Sequence, residues 1–187
     1  ASFITVGTEE TCTTTSGSTP PTSSSEDSSY IFLKKITVDH TQVHGSIAHT
    51  NFPVLVNETH NDLRTVSNGG LVTNANGYDI VFTDANGLSL KHQLESYNPT
   101  TGEYIAWVNI PSLPTDVDYT FYMKFGNATV TTNTSTDATW NNNYQGVWHF
   151  QDNPEDGNLN GATANGLIGI KKGSSSSSNN VSGRIGK

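Results

Sequence analysis

Apolar residues in this chain recur at every second position within short runs, and no long stretch carries them at helical spacing. Tyr119, Phe121, Met123 and Phe125 alternate with Thr120, Tyr122 and Lys124. Successive side chains of an extended strand point to opposite faces, so this period suits a half-buried β-strand and would scatter apolar groups around a helix. Leu88, Leu90 and Leu94 share one face of the run 88–96, with Ser89, Lys91, Gln93 and Glu95 on the other. Tyr104, Ala106, Val108 and Ile110 oppose Ile105 and Trp107. That run is apolar on both faces and belongs at the centre of a sheet. Further strands are expected at 30–38, 52–56, 79–83 and 146–150. Between them stand turn signals: Asn68-Gly-Gly, Asn76-Gly, Asn86-Gly, Asn98-Pro and Thr101-Gly. Only the region around Asn61–Val66 is compatible with a turn or two of helix. The expected fold is all-β, an antiparallel β-sandwich of jelly-roll or immunoglobulin-like type, with extended N- and C-terminal tails.

Composition sets the limits of that core. Hydrophobic residues make up 33% of the 187 positions, well below the ~45–50% of ordinary globular chains, so part of the sequence stays outside the core. Residues 8–29, TEETCTTTSGSTPPTSSSEDSS, have almost no apolar surface to offset the entropy of ordering and read as a linker. Ahead of them Phe3, Ile4 and Val6 form a short strand-like island; a second island, Leu167–Ile170, precedes the polar run 173–180. The expected division is therefore an N-terminal island plus linker (1–29), a β-sandwich (30–151) and a C-terminal extension (152–187). The formal charge of −8 argues against nucleic acid or an anionic membrane as partner. No apolar run of ~18 residues is present to insert into a bilayer. Cys12, alone among Thr and Ser, has no neighbouring base to lower its pKa and is expected to be a tail thiol that is free or pairs with another chain.

Several stretches in the core occur together in a recognisable order. They are Lys35-Ile-Thr-Val-Asp39, Thr50-Asn-Phe-Pro-Val-Leu-Val56, Gly77-Tyr-Asp-Ile-Val-Phe-Thr-Asp84 and Leu94-Glu-Ser-Tyr97. Ala106-Trp-Val-Asn-Ile-Pro111, Phe121-Tyr-Met-Lys-Phe-Gly-Asn127, Thr139-Trp140 and Gly146-Val-Trp-His-Phe150 follow. Over about residues 30–151 the chain resembles an uncharacterised domain family of bacterial and archaeal surface proteins. That domain commonly stands just before a laminin-G-like or concanavalin A-like lectin domain. The resemblance implies an extracellular, cell-surface setting and no established activity. It also implies that 152–187, ending Gly-Arg-Ile-Gly-Lys, begins such a lectin-like domain.

The residues themselves offer few groups for catalysis. A glycosidase needs two carboxylates across a cleft; Glu95 and Glu103 are the best pair, and both read as solvated surface groups. His40, His44 and His49 lie close in sequence but lack the repeated spacing of a zinc site. There is no Gly-x-Ser-x-Gly elbow and no phosphate-cradling glycine loop. A non-enzymatic role without a cofactor is expected. Asp79, Asp84 and Asn86 offer oxygen ligands that suit Ca²⁺, with plain Asx turns as the alternative. Sequons stand at Asn57, Asn127, Asn133 and Asn180. For glycans, Trp140 and Tyr144 with Asn142, and separately Tyr97, combine flat apolar faces with hydrogen-bonding groups. Trp107 and Trp148 are expected in the core, and Trp140 is expected to be the exposed aromatic. For assembly, the Phe3–Val6 island on its linker could add to the sheet edge of a neighbour. Two roles follow: a structural or adhesive surface module, self-assembling into a filament or layer by strand donation, or a glycan-binding module of a larger secreted protein. The partners are accordingly other copies, other surface proteins, or glycans.

Overall fold

The alternating runs become strands in a computed structural model, which describes residues 3–11, 29–140, 144–149, 158–160 and 168–170. The chain divides into two units, 1–136 and 137–187. In the first unit, β1 (Ile4–Thr11), β2 (Phe32–Val38), β4 (Val81–Asp84), β5 (Ser89–Leu90) and β8 (Tyr119–Phe125) form a five-stranded sheet in the order β1-β2-β8-β4-β5. A three-stranded sheet runs β3-β7-β6, from β3 (His49–Thr59), β6 (His92–Asn98) and β7 (Glu103–Leu113). Every strand pairing is antiparallel. The expected all-β sandwich is thus the architecture of this unit. Among the described residues no helix is long and apolar enough to cross a membrane.

The core lies between the inner faces of the two sheets. Ile36 and Val38 of β2, Phe82 of β4 and Phe121, Met123 and Phe125 of β8 meet Val54 and Val56 of β3 and the even-numbered face of β7. Phe82 sits within 6.2 Å of both the Tyr104 and Phe121 rings, centroid to centroid. Each such side chain, fully buried, contributes roughly 1.5–3 kcal/mol of transfer free energy. The stretch 61–66 forms a 3₁₀ turn at Asn61–Leu63, with another at Val66–Asn68, and no α-helix.

Three expectations are corrected. The run 88–96 is not one strand: Leu90 ends β5 in one sheet and His92 opens β6 in the other. Leu88 is captured by the preceding turn, where its amide donates to the Asp84 carboxylate, and it stands 68% exposed. Residues 146–149 of the expected strand 146–150 are not in a strand, and the Trp148 ring lies over Gly146, where a β-carbon would meet it at 2.2 Å; Phe150 lies outside the described residues. Finally, β1 extends into the stretch read as linker, to Thr11. The sandwich unit therefore takes in the N-terminal island. The second unit begins at Asp137, with a 3₁₀ turn (Asp137–Thr139) and an antiparallel pair, β9 (Asn158–Asn160) with β10 (Ile168–Ile170).

Candidate functional site

The outer edge of β2 is where the chain's own covering strand is attached by an unusually long connection. β1 lies antiparallel along β2, with Ile4 opposite Val38, Val6 opposite Ile36 and Thr11 opposite Phe32. A register shift between Val6 and Glu9 adds one residue on β1, so Glu9 comes opposite Lys34. Phe3, Ile4 and Val6 are partly buried against the core, and the Phe3 carbonyl accepts from the Asp39 amide at 3.1 Å. The three residues expected to mediate assembly are thus held on their own sheet. The opposite side of β2 is fully paired with β8 from Phe32–Phe125 to Val38–Tyr119. Without β1, β2 would expose a row of unpaired backbone groups, a template for another strand. Antiparallel strands whose ends meet, as Thr11 and Phe32 do, need only ~2–5 connecting residues. Here the connection is the whole of 12–31.

An ionic cluster stands beside that edge. Lys34, on the inner face of β2, is fully buried, and its Nζ donates to Asp62 Oδ2 at 2.7 Å. His60 Nδ1 lies 3.1 Å from the same oxygen and 3.5 Å from Lys34 Nζ. Partial burial works to raise the Asp62 pKa, but the hydrogen bond and charge of Lys34, aided by His60, outweigh it and hold the carboxyl below its usual value. Glu58 goes the other way: burial raises it, with His60 and Lys34 only partly opposing. The alternation placed Lys34 in phase with Ile36 and Val38, and that phase was the signal for its burial.

The glycan candidates separate. Trp140 is 6% exposed, so the expectation that it is the exposed aromatic is corrected. Its ring meets Tyr144 edge-on at 5.3 Å and His149 at 6.0 Å. Trp140 and Tyr144 are therefore together, but packed on each other. Asn142 lies outside the described residues. Tyr97 stands elsewhere: its hydroxyl donates to the Leu63 carbonyl at 2.7 Å and its ring packs edge-on against Tyr104. A β-carbon at Gly77 would meet that ring at 2.9 Å. Trp107 is half-buried and outside the core cluster, its Nε1 donating to Glu95 Oε2 at 2.7 Å. Trp148 is half-buried in the second unit.

The calcium candidates do not share one loop. Asp79 is fully buried and accepts from Thr73 N and Oγ1, Asn74 N and Gly126 N. Asp84 and Asn86 form the β4–β5 turn, where Asp84 Oδ1 accepts the amides of Asn86 and Leu88. Among the described residues, the grouping of His, Asp or Glu ligand atoms within 4.8 Å of one another is Asp39, His40 and Asp118. Each has a protein partner: His40 Nδ1 is 2.6 Å from Asp118 Oδ1, and Asp39 Oδ1 accepts from Thr41. His44 and His49 are not part of it; His49 Nε2 meets the His44 carbonyl at 2.7 Å.

Of the sequons, Asn57 projects from β3 into solvent, whereas Asn127 is 6% exposed with Oδ1 accepting from the Thr129 amide and hydroxyl. Asn133 is exposed and accepts from the Ser135 amide. Asn180 lies outside the described residues. No curated protein and no solved structure matches the chain. Residues 76–164, a little under half of it, match the family model described as a domain of unknown function, DUF2341, and so are similar to an uncharacterised domain family over β4–β8 and on into the second unit.

Proposed function

We propose that this chain is a non-catalytic structural or adhesive module of the cell surface, working outside the cell, whose copies join by exchange of β1. The observation that carries the reading is that the edge of β2 is covered by a strand tethered through residues 12–31. The exchanged contacts would be those of the closed form, donated by a neighbour. A connection of that length, extended at ~3.3–3.6 Å per residue, reaches tens of Å. Reciprocal exchange gives dimers, and sequential exchange an open filament or layer. The Thr-, Ser- and Asn-rich composition, with few charges, suits an exposed setting. The resemblance to surface-protein domains that stand before lectin-like domains supports the location.

Thr5 and Thr37 face each other across β1 and β2. Opposed residues of antiparallel strands lie within disulfide range. In Thr5→Cys/Thr37→Cys, with Cys12→Ser, oxidation at high protein concentration is expected to give a ladder of covalent multimers on a non-reducing gel. A monomer band alone, with the new disulfide shown to be closed, would sink the exchange reading.

A further inference from the structure

A cavity of about 540 Å³ opens in the first unit beside β4, β5 and the segment after β8. It lies within the ~300–1,000 Å³ range of small-molecule sites. One part of its lining is apolar, from Val81, Phe82, Leu90 and Val130. The rest is hydroxyl and amide: Thr83, Ser89, Asn127, Thr129 and Thr134 among them. Among the described residues that line it, none is Lys, Arg, Asp or Glu. Its one titratable imidazole, His92, is kept neutral at ordinary pH, because burial pushes its pKa down to about 4. Thr83 is 3% exposed, and its Oγ1 is buried without a hydrogen-bond partner. Such a group costs stability in the empty fold, and its retention asks for a reason.

We propose that this cavity binds a neutral carbohydrate, one or two sugar rings in size. A charged ligand would lose its hydration and meet no counter-charge among the described lining residues. A pyranose instead offers hydroxyls that both donate and accept, to match those of Thr83 and Ser89, with an apolar C–H face for the half-buried Val81 and Val130. An added peptide strand fits less well, since β5, at the sheet edge, is only Ser89–Leu90. The site does not depend on exchange of β1, and neither Trp140 nor Tyr144 is among its described lining residues.

The test is amide NMR on the full chain with glucose, galactose, mannose, N-acetylglucosamine and their β-linked disaccharides, each raised to about ten times a millimolar Kd. At least one is expected to shift the amides of Thr83, Ser89 and Thr134. Ser89 is exposed, so Ser89→Trp should keep the fold while filling the mouth and abolishing those shifts. Thr83→Val removes the orphan hydroxyl; it should raise Tm and weaken the sugar about tenfold. No shift from any sugar overturns the proposal, as does binding that survives Ser89→Trp. Equal binding of the charged analogues gluconate and glucosamine overturns the neutral-ligand assignment, and unchanged affinity in Thr83→Val overturns the role of that hydroxyl.

Discussion

His92 occupies the slot between Leu90 and Leu94 where the alternation expects an apolar residue, and its ring is set edge-on to Phe82 at 5.3 Å. Burial disfavours its charged form and lowers its pKa from 6.5 to about 4, although a backbone hydrogen bond with Leu90 works in the opposite direction. The unfolded chain takes up this proton near pH 6.5 and the folded chain only near pH 4. The stabilisation from the neutral ring is therefore complete above the unfolded value and is lost as pH falls between the two, by about 3 kcal/mol at most. Denaturant melts between neutral pH and pH ~4 should show that slope, and His92→Gln should flatten it. An unchanged slope in the variant would place the proton uptake elsewhere. The Lys34–Asp62 pair makes an asymmetric prediction. Asp62→Ala leaves a fully buried ammonium without its carboxylate and should cost about 3–5 kcal/mol, whereas Lys34→Met leaves a carboxylate that water can reach and should cost much less. Equal losses in the two variants, by thermal melting, would contradict this account. Among the sequons, a glycosylating host should modify Asn57 and leave Asn127 bare, because the Asn127 amide is buried and committed to Thr129. Glycopeptide mass spectrometry decides it.

The elements follow from local pattern where one rule governs them, and depart from it where two compete. β7 and β8 were legible almost residue by residue, since their alternation runs unbroken into the core. The run 88–96 was not, because its leucines continue in phase through a point where the chain leaves one sheet for the other. Periodicity records which face is apolar and says nothing about which sheet owns it. The same blindness hid the cavity: its hydroxyls come from Ser29 and Tyr30 before β2, from β4 and β5, and from the segment after β8, and no sequence spacing joins them. The phase of His92 was its one trace among the alternating runs. Trp140 was misjudged because a cluster of aromatic and amide residues reads alike whether its rings face solvent or each other. The turns, in contrast, declare themselves. At Thr101-Gly102 the glycine has φ +74°, and a β-carbon there would lie 1.9 Å from the His60 carbonyl oxygen. Gly102→Ala should destabilise the β6–β7 hairpin by about 2 kcal/mol or more through strain and collision together. A melt within ~0.5 kcal/mol of wild type would mean that the 60s loop moves aside freely.

For the whole molecule, whether β1 closes on its own sheet or on a neighbour's is set by the tether, because the contacts are the same in both states. A flexible linker presents β1 to its own β2 at an effective concentration of order millimolar. Closure should therefore dominate in dilute solution. Exchange should gain only where copies are crowded to that level, as on a surface. The balance should also shift predictably with the connection. Residues 12–31 replaced by an Asn-Gly turn would still let Thr11 meet Phe32, since that pair closes an antiparallel hairpin. Closing so short a loop costs less entropy than closing the native one, and the turn would have to open for β1 to leave. The variant should stay monomeric by light scattering at concentrations where the native chain forms multimers, with an equal or higher Tm. Multimers that persist with the same concentration dependence would show that association uses another surface. Removing residues 3–11 altogether is a poorer test, because it strips Phe3, Ile4 and Val6 from the core and confuses lost assembly with lost stability.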